Sequence, residues 1–126
     1  MKELTKAEEQ VMHILWSIHK GFVNDILEKL PDPKPAYNTV STIVRILERK
    51  AFVSHKAYGK THEYFPLISK EDYTKTYFKG FLNNYFSNSY KQLVSFFSNE
   101  NNLSISELEE IRNLMDEQIE KQKSMD

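Results

Sequence analysis

Hydrophobic positions recur at helical spacing three times before residue 50. Ala7, Val11, Ile14, Leu15 and Ile18 predict a first helix over about residues 6–18, opened by Thr5 and Glu8 at capping-box spacing. Val23, Ile26, Leu27 and Leu30 lie on one arc and Asn24, Asp25, Glu28 and Lys29 on the other, which predicts a short second helix ending before Pro31. The segment Pro31-Asp32-Pro33-Lys34-Pro35 cannot continue it, because proline lacks a donor and restricts the residue before it. Residues 38–49 then separate cleanly into two faces. At about 100° per residue from Asn38, the residues Asn38, Ser41, Thr42, Arg45 and Arg49 fall within about ±60°, while Val40, Ile43, Val44 and Leu47 span roughly 140° to 240°. The apolar face must dock on a core, so the opposite face, with two guanidinium groups and no carboxylate, is held outward.

After this third helix the period changes. Phe52 to Tyr58 and Thr61 to Phe65 read as two strands about Tyr58-Gly59-Lys60, closed by Pro66. With Tyr58-Gly59 as the loop, Ala57 would pair with Lys60 and His55 with His62, leaving Lys56, Lys60 and Thr61 near the tip. Three helices followed by a basic hairpin make a winged helix-turn-helix. From Ser69 onward the chain turns aromatic, with Tyr73, Tyr77, Phe78, Phe81, Tyr85, Phe86, Tyr90, Phe96 and Phe97 in 25 residues. Capping-box matches at Ser69/Asp72 and Ser104/Glu107 open further helices, and the last carries Ile105, Leu108, Ile111, Met115 and Ile119 on one arc. The expected fold is therefore mostly α with a small β wing: a winged helix-turn-helix DNA-binding domain at 1–67 and a helical dimerisation domain at 68–126. Helices this apolar would expose a large patch if left alone, and a symmetric dimer covers it. Tyr77, Phe78, Phe81, Tyr85, Phe86, Tyr90, Leu108, Ile111 and Met115 are the candidate interface residues.

Charge sharpens this picture. The net value of −1 hides +5 between Lys34 and His62, where Lys34, Arg45, Arg49, Lys50, Lys56 and Lys60 face only Glu48. Screening confines each charge to about 8–10 Å, so the local field matters more to a polyanion than the total. Guanidinium, hydroxyl and amide groups hydrogen-bond base edges and phosphates. The bland alternative is an ordinary solvated helix face. A chain of 126 residues leaves no room for a second catalytic domain, and with no cysteine it has neither disulfides nor thiolate sites. The start, MKELTKAEEQ, lacks the apolar run of a secretion signal, and no stretch approaches the roughly 18 residues of a membrane span, so a soluble cytoplasmic protein is expected.

Five segments in order resemble the penicillinase-repressor (BlaI/MecI/CopY) family of bacterial winged-helix repressors, over nearly the whole chain. Leu4-Thr5-x-x-Glu8 with Val11-Met12-x-x-Leu15-Trp16 is similar to its first helix, and Asn38-Thr39-Val40-Ser41-Thr42-Ile43-Val44-Arg45-x-Leu47 to its recognition helix. Arg49 to Val53 resembles the helix-to-wing junction, Tyr58-Gly59-Lys60 with Tyr64-Phe65-Pro66 the wing, and Leu103 to Leu114 the last helix. The resemblance implies a homodimer on palindromic double-stranded operator DNA; no cofactor or metal is expected for this chain. Thr39, Ser41, Thr42 and Arg45 are then base or phosphate contacts, Asn38 is a contact or the helix N-cap, Arg49, Lys50, Lys56 and Lys60 hold phosphates, and Thr61 stands beside them on the wing. Family members are released from DNA by a sensor-linked metalloprotease responding to β-lactams, or by copper on C-terminal cysteines. Here there is no cysteine, and Ser95-Phe96-Phe97 stands where the protease-responsive members have a cleaved Asn-Phe pair. The usual glycine before the wing is Ala51.

Other functions find little in the chain. An enzyme would need a nucleophile set, a phosphate loop or paired metal ligands, whereas Gly21, Gly59 and Gly80 are far apart. His55 and His62 make two ligands where zinc needs three or four, since Glu63 points to the other face of the strand; a phosphate contact by a wing histidine is the other use for them. A winged-helix module that binds protein instead of DNA would carry a carboxylate on the exposed third-helix face or an uncharged wing, and neither occurs.

Overall fold

The computed structural model describes residues 3–100 and 103–126. Its elements run α1 (Lys6–Ile18), α2 (Val23–Lys29), α3 (Tyr37–Arg49), β1 (Val53–Tyr58), β2 (Thr61–Pro66), α4 (Lys70–Phe86), α5 (Tyr90–Glu100) and α6 (Ile105–Met125). Contacts cluster into two units, Met1–Gly80 and Phe81–Asp126. Among the described residues no helix is long and apolar enough to cross a membrane.

In the first unit the apolar arcs of the three helices meet the root of the hairpin. Val11, Met12 and Leu15 of α1, Ile26 of α2, Val40, Val44 and Leu47 of α3, and Phe52, Val53 and Tyr64 of the wing form the core. The capping box of α1 closes in both directions, Thr5 N donating to Glu8 Oε1 at 2.9 Å and Glu8 N to Thr5 Oγ1 at 3.2 Å. The carbonyls ending α2 are gathered by one ammonium: Lys34 Nζ lies 2.7 Å from Leu30 O and 2.8 Å from Glu28 O. At the end of α3, Phe52 N donates to Leu47 O and Ala51 N to Glu48 O, both at 3.0 Å. This is a Schellman motif, and its left-handed position is Ala51, at φ 66°. Tyr73 of α4 packs its ring on Phe52 and Trp16, while Trp16 Nε1 donates to Ile68 O at 2.9 Å.

The hairpin register differs from the expected one. Tyr58 pairs with Thr61, so Gly59-Lys60 is the loop, His55 opposes Tyr64 and His62 opposes Ala57. Gly59 takes φ 64° at the first loop position, where a two-residue turn needs positive φ, while Tyr58 stays in the strand. Gly21 forms an isolated β-bridge with Tyr64, exchanging two hydrogen bonds at 2.8 and 2.9 Å, and ties the α1–α2 connection to the wing.

The second unit packs aromatic rings beside the buried Leu82 and leaves several large apolar side chains exposed. Phe81 packs on Tyr85 and Phe86, and Phe86 on Phe96, with ring centroids 5.3 to 5.7 Å apart. Ser104 and Glu107 complete the capping box that starts α6, yet none of the 21 residues of α6 is buried.

Candidate nucleic-acid interface

α3 presents the face that its sequence pattern predicts. Val40, Val44 and Leu47 are fully buried, and Asn38, Thr39, Thr42, Arg45 and Arg49 are exposed with Ser41 half-buried. Asn38 is not the N-cap: that position is Ala36, and Asn38 lies inside the first turn. The prolines and Ala36 keep the chain extended up to Tyr37, so the helix starts one residue before Asn38. Arg45 Nε donates to Ser41 O at 3.2 Å and Thr42 Oγ1 to Asn38 O at 2.9 Å, which fixes both side chains along the helix.

The wing adds exposed cations beside this face. Lys56, Lys60 and Thr61 are exposed, with Lys56 Nζ 5.3 Å from the Tyr58 ring centroid. A cleft runs between α3 and the wing, lined by Phe22 and Asn24, by Tyr37, Ser41 and Arg45, and by Lys60, Thr61, His62 and Tyr64. Burial holds the Tyr64 phenol above its usual range, with Glu48 adding to the shift and Arg45 opposing it. Tyr37, 47% exposed, was not picked out by the helical pattern, since it lies ahead of the periodic stretch. In the sequence Glu48 is only the one negative charge among six cations. It is the partner of His55 Nδ1 at 2.5 Å.

Two of the six cations counted in the sequence are occupied within the fold. Lys34 caps α2, and Lys50 Nζ binds Glu8 Oε1 at 2.7 Å and Glu3 O at 3.3 Å. Burial alone would raise the Glu8 carboxyl, but the bonds from Lys50 and Thr5 outweigh it and hold it below its ordinary value. Arg45, Arg49, Lys56 and Lys60 thus carry the field of this face. Among the described residues no group of three His, Cys, Asp or Glu side chains converges on a metal position.

The candidate interface residues of the second half divide by exposure. Tyr77, Tyr85, Tyr90, Leu108 and Met115 are exposed, whereas Phe78, Phe81, Phe86 and Ile111 are half-buried.

Known proteins share the sequence pattern and the fold. The model of the family described as penicillinase repressor matches residues 4–117. The methicillin resistance regulatory protein MecI of Staphylococcus aureus (strain N315) is 30% identical over 114 residues, covering 90% of this chain and 93% of that protein. The penicillinase repressor of Bacillus licheniformis is 24% identical over 122 residues, covering 96% and 95%. The solution structure of the DNA binding domain of the repressor BlaI superposes with a TM-score of 0.50 at 26% identity, over 58% of this chain and 94% of that domain.

Proposed function

The chain belongs to the penicillinase repressor family, and from that premise we propose that it is a dimeric transcriptional repressor that occupies a palindromic operator and leaves it when a signal acts on its C-terminal helices. The observation that carries this is the exposed α3 face, rich in guanidinium, hydroxyl and amide groups and flanked by the wing lysines. In this mechanism α3 enters the major groove, where Arg45 reads a base edge and Thr39, Ser41, Thr42 and Asn38 hold the adjoining bases or phosphates. Arg49, Lys56 and Lys60 neutralise flanking phosphates, with Thr61 beside them. Such a repressor works where the chromosome is, in the bacterial cytoplasm.

Two copies are supported by α6, which leaves Leu108, Met115 and Ile119 39 to 52% exposed along one arc. A second copy of the same arc would cover them, and two half-sites follow from the two-fold axis. Release by a sensor-linked protease acting on this half would remove the cooperativity that holds both half-sites. A copper thiolate route is closed to a chain without cysteine.

The test is a titration of the full chain against a labelled duplex from upstream of its own gene, with random DNA as competitor and two salt concentrations. Competitor-resistant binding at two chains per duplex is expected, with the slope of log affinity against log salt steepening by about −0.9 per neutralised phosphate. Absence of salt-sensitive binding to any DNA would overturn the proposal in favour of a protein-interaction module.

A further inference from the structure

His55 and His62 are not cross-strand partners, yet their rings lie parallel at 4.0 Å between centroids and 6° between planes. The register accounts for this. His55, Ala57, His62 and Tyr64 share one face of the hairpin, and with alanine opposite His62 the space above Ala57 is left to the diagonal neighbour. His55 is anchored to α3 through Glu48, and His62 lines the cleft with Ser41, Arg45, Lys60 and Thr61.

We propose that the His55–His62 stack is a proton-linked phosphate ligand: His62 takes up a proton as a DNA phosphate enters the cleft, so operator binding by this chain consumes a proton. The proposal rests on the α3 and wing face being the DNA face. Its chemistry follows from the groups around the two rings. From α3, Glu48 faces His55, while Arg45 and Tyr37 face the His62 side of the cleft; from the wing come Lys60 and the Tyr64 phenol; α2 contributes Asn24, which carries no charge. Lys56 and Glu63 pair on the opposite face of the hairpin. Arg45 and Lys60 line the cleft with His62, so a phosphate is drawn in beside its ring. An anion at hydrogen-bond distance favours the protonated imidazole. No bond is made or broken except to the proton, which comes from solvent.

Calorimetric titration of a 40-base-pair duplex from upstream of the gene, in two buffers of different ionisation enthalpy at pH 7 and fixed ionic strength, counts protons directly. The wild-type chain is expected to take up a substantial fraction of one proton, and His62→Gln clearly less. Between pH 8 and 6 the wild-type affinity should rise by up to about tenfold per pH unit for each proton taken up, with His62→Gln losing most of that rise. Imidazole resonances of the wild-type protein supply a readout free of substitution: the His62 titration is expected to move up when duplex is added. Equal proton counts for wild type and His62→Gln, or a His62 titration that duplex does not move, would overturn the proposal while leaving DNA binding intact. Failure of the wild-type chain to bind DNA at every pH would overturn the DNA reading beneath it.

Discussion

Replacing Ala51 with glycine should stabilise the winged-helix unit. Ala51 is the C′ residue of α3 at φ 66°, exposed, with its N–H bonded to Glu48 O and the next N–H to Leu47 O. A Cβ in the left-handed region costs about 1–2 kcal/mol, and glycine gives back roughly 0.5–1 kcal/mol through the greater freedom of its unfolded chain. Because the exposed methyl group packs on little, the difference of about 0.5–1 kcal/mol should appear as added stability. For a unit of this size that is roughly 3–6 °C in Tm. Urea unfolding at pH 7 measures it as a higher midpoint at unchanged slope. Ala51→Val supplies the opposite limb, because a β-branched side chain tolerates this φ least. The order Gly above Ala above Val is expected. If glycine lowered stability by about 1 kcal/mol, as it does inside a helix, α3 would have to continue through residue 51 and the Schellman motif would be wrong.

The Glu8 carboxyl is held low by Lys50, so its contribution is present above the unfolded carboxylate pKa and lost as pH falls through the folded one. Lys50→Met should therefore destabilise by about 2–3 kcal/mol at pH 7, with the gap closing towards pH 3 in urea unfolding; an equal gap at both pH values would refute the ion pair. Arg45→Ala should reduce discrimination between the operator and a base-substituted operator by roughly 1–3 kcal/mol, and equal weakening on all duplexes would make Arg45 a phosphate ligand instead. Met115→Asp, at a position 52% exposed, should lower the sedimentation mass to one chain without changing helicity. Retention of two chains would place the interface elsewhere.

Most of the first unit was legible because its elements are amphipathic and punctuated. α1 and the strict two-faced pattern of residues 38–49 need only the helical period and a core to dock on, and the prolines at 31, 33 and 35 set where α2 stops. The strand pairing was not legible in the same way. A two-residue loop can begin at Tyr58 or at Gly59, and a positive φ at Gly59 suits either; Tyr58 stays in the strand, which shifts the partner of His55 from His62 to Tyr64. Tertiary partners of charges were hidden altogether: Lys50 and Glu8 are 42 positions apart, and nothing local marks Lys34 as a cap or Glu48 as the seat of a histidine. Counting charge by position overstated the free cations of this region, because Lys34 and Lys50 are engaged within the fold.

The wing is held on three sides, by the Gly21–Tyr64 bridge, by Glu48 against His55, and by Phe22 against Tyr58 with ring centroids 5.9 Å apart. Swinging it would break the two backbone hydrogen bonds of the Gly21–Tyr64 bridge, whose two residues are both buried. The distance from Arg45 to Lys60 thus behaves as a fixed gauge, and a duplex that does not match it must itself widen, narrow or bend. Bending and groove width have sequence-dependent energies. If α3 and the wing hold DNA as proposed, base pairs that no side chain touches, between the bases under α3 and the phosphates under the wing, are expected to contribute to operator choice through the stiffness of the DNA.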